Sequence, residues 1–243
     1  VSWVLICGSV VVALVTASFI VGADRRTTAQ LAIERGQEAL AALAEQPPPV
    51  IVSPGERTGV RPPGPELATG PEITAIGDSV MLASAPEFAE AFPGISIDAA
   101  VSRHMSTAES LIADQLAAGT LRRVVVVGLA TNGGFDPEVL PRILELIGPD
   151  RQLVLVSAQA PRDWIDPNNA ALRDFALRMR AVELADWYTA IQPYIDTLAD
   201  DDVHPGPTGA GIYAQSVKDA LIRLTLVPPL VDEDERRWLP RAV

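Results

Sequence analysis

Between residues 73 and 186 five short apolar runs, ITAIG, ISIDAA, VVVVGLA, LVLVSA and AVELAD, are separated by longer stretches of mixed polarity. Those stretches, near 80–91, 105–118, 137–147 and 167–180, and a further one at 207–223, have helical patterning. The runs are rich in β-branched residues and apolar throughout, as strands buried on both faces are. Strands alternating with helices imply β-α-β units. The expected fold is therefore α/β, a three-layer α/β/α sandwich around a central five-stranded parallel sheet, covering 72–225.

The pattern upstream is different. Residues 3–22, WVLICGSVVVALVTASFIVG, carry no charge, and a 20-residue helix matches a hydrocarbon core of roughly 30 Å. Within segment 1–24 this predicts one transmembrane helix. A signal peptide cleaved near Val21-Gly22-Ala23 is the alternative, but its basic opening is missing. Residues 25–45 predict a juxtamembrane helix. Residues 46–71 hold eight of the 21 prolines and predict a stiff linker that would hold the domain some tens of Å from a membrane. Residues 226–243 read as a C-terminal tail. The Arg25-Arg26 pair argues by the positive-inside rule for a cytoplasmic domain. If further helices precede residue 1, they set the topology instead.

Composition narrows the function. The chain has 31 acidic and 19 basic side chains, a net charge of -12, so a nucleic-acid partner is not expected. Cys7 is the one cysteine, which excludes an intrachain disulfide and a cysteine-built zinc site. With two histidines no metal site is expected, and no cofactor. Neither a P-loop nor a dinucleotide fingerprint occurs, and Met81 breaks the Gly-x-Ser-x-Gly elbow.

In open parallel sheets ligands bind beyond the carboxyl ends of the strands, so the polar residues there carry the chemistry. Gly77-Asp78-Ser79 follows the first run, Ser102-Arg103-His104 the second and Thr131-Asn132-Gly133 the third, while Asp201-Asp202-Val203-His204-Pro205 precedes the last helix. Asp201, three residues before His204, is placed to orient the imidazole Nδ1 and leave Nε2 as a base. Ser79 is the hydroxyl such a base would activate. Asn132 and the backbone N–H groups of Ser79 and Ser102 supply three donors for an oxyanion. Each motif alone has a plainer reading: Asp78 or Ser79 as a helix cap, Asn132-Gly133 as a turn, His204 as a loop end. Their order at successive strand ends favours catalysis. His104 is the rival base and lacks a neighbouring carboxylate; Arg103 is either a substrate contact or a surface cation. Trp164 is a candidate rim residue, and Trp187 and Tyr188 are core or wall.

GDS after the first strand, TNG after the third and DxxH before the final helix resemble the SGNH (GDSL-type) hydrolase superfamily. GDSVM, IDAAVSR, TNG, ADWY at 185–188 and DDVHP are most similar to the extracytoplasmic domain of bacterial peptidoglycan O-acetyltransferases. The resemblance implies Ser79 as nucleophile, His204 as base, Asp201 as orienting acid, and Asn132 with Ser102 in the oxyanion hole. It also implies an acyl donor, a glycan acceptor, an upstream acyltransferase-3 membrane domain and a bacterial cell-membrane location, with 3–22 as the last helix. Three positions depart from the superfamily: Ser102 and Ala130 stand where glycine is usual, and Gly133 follows Asn132 where many hydrolases have Asp. The expected activity is O-acyl transfer, with ester hydrolysis or a non-catalytic binding module of the same fold as alternatives.

Overall fold

The computed structural model describes residues 26–46 and 67–226. The expected span at 3–22, most of the 46–71 linker and nearly all of the tail lie outside the described residues. Among the described residues no helix is long and apolar enough to cross a membrane.

Five parallel strands form the sheet: β1 (Ile73–Gly77), β2 (Ser96–Ala99), β3 (Val124–Gly128), β4 (Gln152–Val156) and β5 (Val182–Ala185), in the order β2-β1-β3-β4-β5. Strand residues alternate between two cores. Ile73, Ala75, Val124, Val126, Val154, Val156 and Ala185 face one, and Ile76, Val125, Val127, Leu153, Leu155 and Val182 the other. That is why the runs contain no polar alternation: either face of each strand meets a helix layer. The first layer holds α2 (Ser79–Ala83), α3 (Ala85–Ala91), α7 (Trp187–Ile191) and α8 (Pro207–Thr225). The second holds α4 (Ala108–Ala117), α5 (Val139–Leu146) and α6 (Ile165–Arg178). Chain order reverses between β1 and β3, and a crevice opens at the carboxyl ends of two such strands.

Close approach in the first layer depends on Gly128 at the end of β3. A Cβ there would stand 2.4 Å from the Tyr213 hydroxyl oxygen and 3.1 Å from Met81 Cε. Tyr213 has little room to yield, because its ring is wedged edge-on between Phe88, at 5.9 Å between centroids, and Trp187, at 5.5 Å. Gly128→Ala is expected to cost about 1–3 kcal/mol by overpacking. Urea melts check this: the midpoint should fall with an unchanged slope.

The remaining helix, α1 (Thr28–Ala44), starts where expected, at a capping box. Gln30 N–H donates to Thr27 Oγ1 at 3.1 Å, and Thr27 N–H to Gln30 Oε1 at 2.8 Å. Its surroundings place it on the folded domain. Ile33 and Leu40 pack against the first core, Ala32 and Gly36 are buried, and the helix lies along α2 and α3. An apolar stripe on α1 has buried itself on the nearest apolar surface, which the linker's composition gave no means of foreseeing.

Candidate active site

β1 ends at Gly77 and α2 begins at Ser79, so the chain turns from strand to helix in one residue. Asp78 makes that turn. Its Oδ1 accepts from Val80 N–H at 2.9 Å as the N-cap, while its own N–H donates to Gly128 O at 3.0 Å, tying β1's end to β3. Asp78 is thus the capping residue, and Ser79, 5% exposed, presents its hydroxyl at the switch point.

The loop before α8 brings the partner. His204 Nε2 lies 2.9 Å from Ser79 Oγ, and His204 Nδ1 lies 2.6 Å from Asp201 Oδ2. The other Asp201 oxygen accepts from the N–H groups of Val203 and His204, both at 3.0 Å. One carboxylate therefore shapes the turn and orients the imidazole. Asp202 completes the turn at φ +57°, and Ala199 N–H donates to His204 O at 2.7 Å, closing the loop on itself. Burial alone would raise the Asp201 pKa, but hydrogen bonds from the His204 backbone and ring and from Val203 outweigh it, so the carboxyl lies below its ordinary range.

Behind the serine the electrostatics reverse. Asp78 is 1% exposed, and burial holds its pKa above the ordinary 3.8, only partly offset by hydrogen bonds from Val80 and Thr131 and by His204. A raised folded pKa contributes stability below pH 3.8 that is lost as pH rises through the folded value. Asparagine caps as well as aspartate and does not titrate. The stability difference between Asp78→Asn and wild type should therefore move in the variant's favour between pH 3.5 and 7. Denaturant melts at both pH values measure it, and a pH-independent difference would refute it.

The other two loops converge on the same edge. Ser102 adopts φ +61°, the left-handed region where a side chain is strained and glycine is favoured. Asn132 Nδ2 donates to Arg103 O at 3.0 Å, joining the loop after β3 to the loop after β2. Arg103 itself is committed to β2, its guanidinium donating to Asp98 O and Asp98 Oδ1, each at 2.5 Å, so it is not a free substrate contact. His104 is exposed and borders Gly133, where a Cβ would stand 3.3 Å from its Nδ1; it makes no bond to Ser79.

Two side chains hold the Asn132 loop, and a third holds the loop after β4 beside it. Trp164 Nε1 donates to Thr131 O at 2.9 Å, giving this residue a supporting place at the site. Buried Asn168 donates to Ala130 O and Gly133 O, both at 2.9 Å. Buried Asn169 pairs with Ala158 N–H at 2.8 Å and Ala158 O at 2.9 Å. The asparagine pair escaped sequence reasoning; its one signal was two amides adjoining the apolar stripe of α6. Trp187 is fully buried against Tyr213 and belongs to the core.

A 2-1-3-4-5 parallel sheet with a serine after β1, an asparagine after β3 and an Asp-x-x-His loop before the last helix is consistent with the SGNH fold. No family model matches the chain. Among the curated relatives it matches are peptidoglycan O-acetyltransferases. It is 32% identical over 153 residues to the putative peptidoglycan O-acetyltransferase YrhL of Bacillus subtilis, covering 63% of this chain and 24% of that protein. To the peptidoglycan O-acetyltransferase OatA of Listeria monocytogenes it is 32% identical over 142 residues, 58% of this chain and 22% of that one. The chain thus spans about a quarter of the length of these relatives. Among solved structures it matches the C-terminal catalytic domain of OatA from Streptococcus pneumoniae, described with a methylsulfonyl adduct, at a TM-score of 0.60 and 24% identity. That match covers 67% of this chain and 98% of the other.

Proposed function

We propose that this domain transfers an acyl group, acetyl, through Ser79 to a hydroxyl of a cell-envelope glycan, peptidoglycan in the first place. The observation that carries this reading is His204 set between Asp201 and Ser79, at 2.6 and 2.9 Å, in a chain whose homologues are O-acetyltransferases. Ser79 Oγ attacks the donor's acetyl carbonyl while its proton passes to His204 Nε2. Asp201 holds the ring and favours the imidazolium. The oxyanion is met by the Ser79 and Ser102 N–H groups and by the Asn132 amide, which has a second hydrogen besides the one given to Arg103. Collapse expels the donor's leaving group, which takes the proton, and leaves acetyl-Ser79. An acceptor hydroxyl then gives its proton to His204, attacks the ester and departs acetylated, returning the hydrogen to Ser79.

The same reading places the domain outside the cytoplasmic membrane, anchored through 3–22 and joined to an upstream acyltransferase-3 membrane domain. The Thr28 hydroxyl accepts from Asp200 N–H at 3.0 Å. Thr28 lies six residue steps beyond the end of the apolar run, at roughly 3.5 Å each. An anchor at 3–22 would hold the triad loop within about 20 Å of its own end.

The test supplies an acetyl donor and a muroglycan acceptor and weighs the products by mass spectrometry. Transfer requires an acceptor heavier by one acetyl group, formed by wild type and not by Ser79→Ala. Free acetate as the sole Ser79-dependent product would make water the acceptor and the domain an esterase.

A further inference from the structure

The helix bearing the proposed nucleophile, α2, is only five residues long, so its last carbonyls find few partners within it. Those carbonyls face α1. Arg35 Nη2 donates to Ala83 O at 3.0 Å, bringing a cation to the negative end of α2, and Arg35 Nη1 pairs with Glu87 of α3. The next residue, Gly36, lies so close that a Cβ would stand 1.9 Å from Leu82 O, a backbone atom that cannot swing aside. At its other end α1 reaches the acid-base loop, where Thr28 Oγ1 accepts from Asp200 N–H, the residue before Asp201.

We infer that α1 is a working part of the catalytic centre, a brace in which Arg35 and Gly36 hold the Ser79 helix and Thr28 holds the Asp201–His204 loop. These are positioning residues; none touches Ser79 or His204. The inference rests on the acyl-transfer reading for its kinetic consequence but not for its mechanical one. Displacing Ser79 Oγ relative to His204 Nε2 slows attack without changing how substrate binds, so the loss belongs in kcat. A lone hydrogen bond such as Thr28–Asp200 corresponds to about a 2- to 10-fold effect.

Gly36 supplies a test whose sign separates the alternatives. Alanine in a free helix interior is more stable than glycine. If α1 did not brace the domain, Gly36→Ala would leave the full chain as stable or more so. On the docked geometry it must push α1 off Leu82. The full chain is compared as wild type, Gly36→Ala, Thr28→Ala, Thr28→Ser and, on the exposed side of α1, Glu38→Ala. The readouts are kcat and KM on p-nitrophenyl acetate, melting temperature and hydrogen exchange of peptides covering 79–84 and 199–206. Expected are a lower Tm and faster exchange at 79–84 for Gly36→Ala, and a few-fold lower kcat at constant KM with faster exchange at 199–206 for Thr28→Ala. Thr28→Ser should restore the latter, and Glu38→Ala should behave as wild type. Unchanged exchange in both Gly36→Ala and Thr28→Ala overturns the brace. Absence of Ser79-dependent turnover in wild type would instead overturn the acyl-transfer reading, while exchange still decides the brace.

Discussion

Ser79→Ala is expected to lower acyl-enzyme formation by at least about 10⁴-fold, because with no Oγ there is nothing to carry the acyl group and only binding and oxyanion stabilisation remain. His204→Ala should be as severe, and the double variant no worse than either, since nucleophile and base act as one unit. Asp201→Asn keeps the size of the side chain but can present an N–H to His204 Nδ1, favouring the wrong tautomer; a loss of about 10³–10⁴-fold follows. The folded state should tolerate Ser79→Ala, because its Oγ bonds to His204 and to no core group. Pre-steady-state release of p-nitrophenol, read beside melting temperature, separates chemistry from folding. Turnover within tenfold of wild type in Ser79→Ala would refute the assignment.

The pH dependence of that activity constrains Asp201 further. Its folded pKa is depressed, so its contribution is complete above the ordinary value of 3.8 and is lost only as pH falls through the lower folded value. A decline in rate on acidification that is already under way at pH 5 must therefore arise from another group than Asp201. Measuring kcat/KM in wild type and Asp201→Asn should show the variant slower by a ratio that does not shrink as pH falls from 5 to 4.5. A ratio that shrank there would contradict the hydrogen bonding seen at Asp201.

The strand runs were legible because burial on both faces removes every polar interruption, and the structure puts β1, β3 and β4 where those runs lie. The 2-1-3-4-5 order was not legible, since Val-rich strands carry no label for their neighbours. At the site, Asp201 and His204 could be read together because they lie three positions apart in one loop. Their approach to Ser79, 125 positions away, could be inferred only from strand-end logic. Arg103 and Trp164 were harder. A cation or indole at a crevice rim reads as a substrate contact until its partner is known, and here the partners are Asp98 and the Thr131 carbonyl. The docking of α1 was illegible for another reason. It depends on Gly36, and a glycine inside a helical pattern looks like a weakness until a backbone carbonyl is found against it.

Asn132→Ala should cost about 10²–10³-fold in kcat, or about 2.7–4 kcal/mol of transition-state stabilisation. The loss falls on kcat because the oxyanion exists only after attack; the ground-state carbonyl gains little from the amide, so KM should barely move. The loop itself should persist, since Trp164 holds Thr131 O and Asn168 holds Ala130 O and Gly133 O without help from Asn132. What the variant loses structurally is the part-buried bond to Arg103 O, worth about 1 kcal/mol. Asn132→Asp is the sharper probe. It keeps the shape but replaces a donor with a negatively charged acceptor facing the developing oxyanion, so its kcat should fall at least as far as that of alanine. If instead Asn132→Asp retained more than a tenth of wild-type kcat, Asn132 would be only a tie between two loops, and the oxyanion would depend on the backbone donors of Ser79 and Ser102.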